Sequence, residues 1–313
     1  MRVLIIAKKE FADHITSRRF LAFLVVFLLI FSFSVYQGVS SFMKTYELYA
    51  SGASEKPNVI QIFGFLATGS TSILGGILGI LMGFDLLTRE KESGTLKTLL
   101  SHPVFRDEII NGKALGALLA MALVVFLTLI AAFGVLIALG FVPSVGDFVV
   151  ILKFGAITLV YFFTFFSIGL FASAVAKSTT TALMTAFAVF IFLAIILPVV
   201  GFIATEALAG EPPKPPEVES YNIPGGSIPT EDPRWEEYER QMEEYMKRRL
   251  AISSVFTLLS PMSNYVSLAS SLSAPESVFY PAGDTTKNWV SLIVTPAVFF
   301  AVSYVRFLRE EIV

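Results

Sequence analysis

The sequence contains no cysteine, which excludes disulfides, thiolate nucleophiles and thiolate-held metals. Histidine is almost as scarce: His14 and His102 are the only two, and each lies beside charged or polar neighbours, so a histidine metal cluster is not expected. Charge is also low. Asp, Glu, Lys and Arg make up 15% of the chain against 55% hydrophobic residues, with a formal net charge of -2. That balance leaves no electrostatic footprint for nucleic acid. It also supplies more apolar side chain than a soluble globule can bury, in keeping with a mean hydropathy of +0.72.

Two further absences concern energy. The nearest match to a phosphate-binding loop, Asn111-Gly112-Lys113-Ala114, lacks both the upstream glycine and the Ser or Thr after lysine, so nucleotide phosphates have no usual cradle here. The apolar stretches 20–43, 59–84, 114–139, 179–203 and 288–305 contain no Asp, Glu, Lys, Arg or His. Gradient-coupled carriers place such groups inside the membrane as relays or ion sites. Only 149–175 holds one, Lys153 near its start, where the amine can snorkel to the surface. No repeated glycine loop suggests a channel filter. Energy is therefore expected from another polypeptide.

What is present is a set of apolar runs of the length that a helix needs to cross about 30 Å of hydrocarbon. The fold expected is an all-α membrane protein with six transmembrane helices. The N-terminal 1–19 reads as a cytoplasmic amphipathic helix, 20–205 as spans one to five, 206–287 as an external insert, 288–305 as the sixth span and 306–313 as a tail. Short-loop basic residues set the direction. Arg2, Lys8, Lys9, Arg18, Arg19, the basic residues of 85–113, Lys177, Arg306 and Arg309 fall on one side, against Lys44, Lys56 and Lys153 on the other. Both termini are thus expected in the cytoplasm of a multi-pass plasma-membrane protein.

The insert is acidic in balance and opens with Pro212, Pro213, Pro215 and Pro216, which favours extended chain. Thr230 is placed to cap a helix running through Leu250, with Trp235, Tyr238, Met242, Tyr245 and Leu250 on one face. The serine-rich 251–272 reads as re-entrant or interfacial rather than as a seventh span. Pro198 and Pro296 are expected to kink the fifth and sixth spans. In the second span Gly64, Thr68, Ser72, Gly76, Gly79 and Gly83 form a small-residue ridge suited to helix packing, and Gly112, Gly116 and Ala120 repeat the pattern.

The charged segment 85–113 lies between the second and third spans. The run from Arg89 to Pro103, with Glu90, Glu92 and Thr95 in it, has the grammar of a short helix that stops near Pro103; Ser93 and Gly94 can break the charged extension of the second span, and Leu96, Leu99 and Leu100 form an apolar patch. A second piece, Arg106 to Lys113 with Glu108 inside it, leads into the third span, and the two can make a helical hairpin.

The Glu-Ser-Gly-Thr-Leu core of this segment, followed by Pro-Val-Phe-Arg-Asp-Glu-Ile-Ile-Asn-Gly-Lys, closely resembles the cytoplasmic loop of type-2 ATP-binding-cassette (ABC) exporter permeases. The stretch from Ala7 to Phe20 resembles the elbow helix of that family, and the large insert before the last span is more similar to its multicopper-enzyme-maturation branch. The resemblance implies a permease without catalysis of its own, paired with a second permease subunit and two copies of an ATPase subunit. A homodimer is the expected form, although one chain cannot decide against a different second permease. No cofactor is expected on this chain; ATP and Mg would sit in the ATPase partner. The resemblance further implies that 85–113 couples the two parts, with Glu90, Glu92, Gly94, Thr95 and Leu96 matching the core. The cargo does not follow from it. The other reading of the long insert is a membrane scaffold that holds or matures an external protein.

Overall fold

The computed structural model describes residues 2–51, 67–95, 105–138, 140, 144–216, 233–272 and 285–309. Among them all regular structure is helical, and six helices are long and apolar enough to cross a membrane. The chain begins with α1 (Arg2–Thr16) and α2 (Arg18–Ala50), separated by Ser17, whose hydroxyl accepts from the Phe20 amide at 3.2 Å. Next come α3 (Ser72–Gly83), the five-residue α4 (Thr88–Glu92), α5 (Arg106–Ala138), α6 (Val145–Val175), α7 (Thr179–Ile191) and α8 (Leu197–Ala209). The last part holds α9 (Pro233–Leu259), α10 (Pro261–Ser271) and α11 (Thr286–Leu308).

The second span is not one regular helix. A π-turn at Ala67–Thr71, with Gly69 at φ -94 and ψ -117, precedes α3. The carbonyl of Ser72 just past this break receives the buried hydroxyl of Tyr161 from α6, which answers the demand that backbone polar groups be satisfied away from water. Tyr161 in turn stacks on Tyr265 of α10 with ring centroids 4.3 Å apart. The fifth span runs from α7 into α8 through a second π-turn at Phe192–Ile196. Pro198 follows directly in the first turn of α8, so the turn that lacks a proline N–H is accommodated by local widening. Pro296 lies within α11, which continues around it to Leu308.

Packing around α6 organises the bundle. Phe154, Phe162, Phe165 and Phe166 on this helix are buried, and α3 lies against it with almost no side chain between the backbones. A Cβ at Gly79 would stand 2.4 Å from the Phe162 carbonyl oxygen, and one at Gly83 2.4 Å from that of Phe166. Gly76 faces the ring of Phe190 on α7, where a Cβ would come within 2.5 Å. With no hydrophobic force between spans in lipid, such close approach and its dispersion energy hold helices together. Ser72 is buried at the head of the same ridge; Gly64 lies outside the described residues, and Thr68 falls in the π-turn.

Two sequence-based boundaries shift. The helix expected to end at Leu250 continues as α9 to Leu259, and the break comes at Ser260, whose hydroxyl caps α10 by accepting from the Ser263 amide at 3.2 Å while Pro261 takes the first helical position. This is the ordinary chemistry of a helix start. The 11 residues of α10 amount to roughly 16 Å, too short to span. Asn264 and Tyr265 on it are fully buried, and Asn264 donates to Leu258 O, Ser260 O and Ser291 Oγ at 2.9–3.0 Å. Second, Arg106 to Lys113 is not a separate piece: it forms the first turns of α5, continuous with the third span. Thr230 lies outside the described residues.

Candidate coupling site

The charged segment starts where α3 ends. The chain turns through Phe84 to Leu87, and Ser173 of α6 receives the turn: its Oγ accepts from the Leu87 and Thr88 amides, both at 3.0 Å. These are orphan donors at the start of α4. Lys91 donates to the Ala174 carbonyl at 3.3 Å. Glu92 reaches across to α7, where its carboxylate accepts from the Thr179 amide at 2.9 Å and the Thr179 hydroxyl at 2.5 Å. A carboxylate at a helix N-terminus is favoured by both the free amides and the macrodipole. The short α4 is thus fastened to the junction between α6 and α7.

Beyond Glu92, Ser93, Gly94 and Thr95 are exposed. Gly94 has φ +70, the left-handed region that glycine enters without cost, and Ser93 Oγ lies 2.7 Å from Thr95 Oγ1. Leu96, Leu99, Leu100 and Pro103 lie outside the described residues. The chain is described again from Phe105, whose amide donates to Glu108 at 3.1 Å. Arg106 donates to the Leu308 and Phe307 carbonyls at 3.2 and 3.4 Å, closing the end of α11. Glu108 stands 3.9 Å from Arg2 of α1.

The centre of the site is Lys113. Its amine lies 2.7 Å from Glu10 of α1 and 2.7 Å from Glu90 of α4, with its side chain 4% exposed. Three elements distant in sequence therefore share one buried ion-pair cluster. Two glycines make it possible: a Cβ at Gly112 would stand 2.7 Å from Ile6 Cβ, and one at Gly116 2.6 Å from Glu10 Cβ. Without side chains there, α1 lies directly on α5. Arg19 and Asp85, 3.5 Å apart, flank the cluster. His14 completes it: burial pushes the imidazole below its ordinary value of 6.5 against the pull of Glu10 and Asp85. Its Nε2 is buried with no hydrogen-bond partner among the described residues.

Of the residues singled out in the sequence, the structure brings together Glu90 and Lys113, sends Glu92 to α7 and Arg106 to α11, and leaves Ser93, Gly94 and Thr95 exposed. Arg89 caps the turn through its backbone, its carbonyl accepting from the Ser93 amide at 3.0 Å. Sequence reasoning missed Glu10, Thr179 and Ser173. For Glu10 a signal existed: it sits on the apolar stripe Val3, Ile6, Ala7, Phe11 at helical spacing, where a carboxylate needs a partner. Among the described residues no group of three or more His, Asp or Glu stands together as a metal site.

Comparison with known proteins agrees with this architecture. The chain is 29% identical over 150 residues to a probable ABC transporter permease protein NosY of Pseudomonas aeruginosa, covering 48% of this chain and 50% of that one. It is also 29% identical over 122 residues to the protein of the same name from Stutzerimonas stutzeri, covering 39% and 41%. The chain spans half or less of the length of these curated relatives. The family described as ABC-2 family transporter protein matches residues 4–312, and the chain, a multi-pass helical membrane protein, belongs to it.

Proposed function

We propose that this chain is the non-catalytic permease subunit of an ATP-driven exporter, and that segment 85–113 receives the motion of a separate ATP-binding subunit. The observation that carries the reading is the cluster around Lys113, together with the contacts of Glu92 and Arg106. These link the segment to α1, α5, α6, α7 and α11 through polar contacts. A push on the segment is shared among several spans instead of being absorbed by a loop. Because the chain lacks a phosphate loop, ATP and Mg belong to the partner, taken as two copies beneath two permease subunits, with a homodimer as the expected form. The excess of Lys and Arg beside 85–113 supports a cytoplasmic position for that segment and for both termini.

The test is to purify the chain with its ATPase subunit, reconstitute both, and measure ATP hydrolysis with transport of candidate cargoes. Leu96→Asp with Leu99→Asp is expected to abolish stimulation of the ATPase by the permease while the variant still inserts and elutes as a folded protein. Unchanged coupling would refute the docking assignment.

A second reading has one observation in its favour. Helix α9 has no buried residue along its whole length, which suits a scaffold for an external protein. If the purified chain is accompanied by an external protein and by no ATPase subunit, this reading replaces the first.

A further inference from the structure

The end of α11 carries a feature that coupling does not use. A groove of ≈ 480 Å³ is lined by Ala301, Val302, Val305, Arg306 and Arg309. Ala301, Val305 and Arg309 follow one ridge of the helix at spacings of four, and Val302 and Arg306 follow the next. Each ridge is thus apolar below and cationic at its end. Val302 and Val305 are 46% and 45% exposed, and no carboxylate forms an ion pair with Arg306 or Arg309 among the described residues.

A helix C-terminus ordinarily repels anions, since its last carbonyls carry partial negative charge. Here Arg106 donates to the carbonyls of Phe307 and Leu308, offsetting that charge from a neighbouring span. Arg306 and Arg309 thus stand at the end of the two ridges, and the apolar face beneath them lies on a membrane-spanning helix. Protein partners with apolar surfaces would not need this cationic end; a phospholipid with an anionic headgroup matches both parts. We infer that the groove at the end of α11 binds an anionic phospholipid, its acyl chain along Ala301, Val302 and Val305 and its headgroup phosphate between Arg306 and Arg309.

The full chain in detergent is titrated with phosphatidylglycerol or phosphatidylcholine, and bound lipid is counted by native mass spectrometry. Phosphatidylglycerol is expected to be retained in preference. Arg306→Gln with Arg309→Gln should weaken its retention about tenfold or more and leave phosphatidylcholine unchanged. Lys8→Gln with Lys177→Gln removes the same charge elsewhere and should change neither. Val305→Trp keeps both arginines, fills the apolar part and should also reduce retention. Equal loss in the lysine variant, no preference in the unaltered chain, or displacement by soluble glycerol phosphate at matching concentration would each overturn the site. So would an arginine variant that turns a dimer into a monomer while keeping phosphatidylglycerol, since the face would then belong to a second copy.

Discussion

Lys113 holds one positive charge between two carboxylates from different helices, and the second oxygen of Glu90 is buried without a hydrogen-bond partner among the described residues. Removing the lysine leaves carboxylates buried and uncompensated, which generally costs far more than the pair contributes. Lys113→Met is expected to lower stability in detergent by about 3 kcal/mol, and adding Glu10→Gln and Glu90→Gln to recover most of that loss. Thermal melts of the three proteins decide it. His14 gives a pH dependence beside the same cluster, facing Glu10, Asp85, Lys113 and Asp13. Its folded value lies below 6.5, so the unfolded chain binds the proton more readily. The associated stability is complete above 6.5 and is lost as pH falls below it toward the folded value. Melting temperature should therefore drop on acidification, and His14→Gln should flatten that part of the curve. Little of this cluster was legible beforehand. Lys113 stood out as a charge at the entry of a span, but its two partners lie far away in sequence, and only the odd position of Glu10 on an apolar stripe hinted at one of them.

At the scale of helices, glycine has two distinct uses. Gly79 brings α3 against the backbone of α6, where the nearest atom to an added Cβ is a carbonyl oxygen, and a backbone cannot rotate away. Gly94 has open space around it and needs only its positive φ. Gly79→Ala should therefore cost more than about 2 kcal/mol by forcing the spans apart, whereas Gly94→Ala should cost about 1 kcal/mol. Fluorescence-detected size exclusion after graded heating separates the two. The spans themselves were readable because each is an apolar run of membrane length. The ends were less so. Arg106 to Lys113 looked like a separate piece because charge was taken as a boundary, yet charged residues form helix readily and no proline intervenes before Ala138. Leu250 looked like an end because the charge pattern stops there, while the backbone signal, Ser260 followed by Pro261, comes later.

For the whole molecule, hydropathy alone indicated a bilayer protein, and the structure adds which faces remain outward. Leu29, Phe126 and Phe202 are more than half exposed on separate spans, so apolar surface surrounds the bundle on several sides, as lipid requires. Where a second subunit would sit was not legible, since a lipid-facing and a subunit-facing helix draw on the same apolar residues. Cargo was equally silent, because the span cores carry no charged group to select one.

The packing of α8 against α9 also fixes a length. Gly201 lies against Phe256 and Glu206 pairs with Arg249, so the two helices run antiparallel and α8 ends near the level of Met246. The part of α9 from Pro233 onward then overshoots its neighbour by about 20 Å at 1.5 Å per residue. It is one unbroken helix, and a stiff helix of this length would hold anything seated on its tip at a set height above the helix pair. The absence of native cysteine makes that height directly measurable. Two introduced cysteines, at Leu208 and Gln241, would carry the only spin labels in the chain, and a narrow distance distribution would mark a stiff post where a broad one would mark a tether.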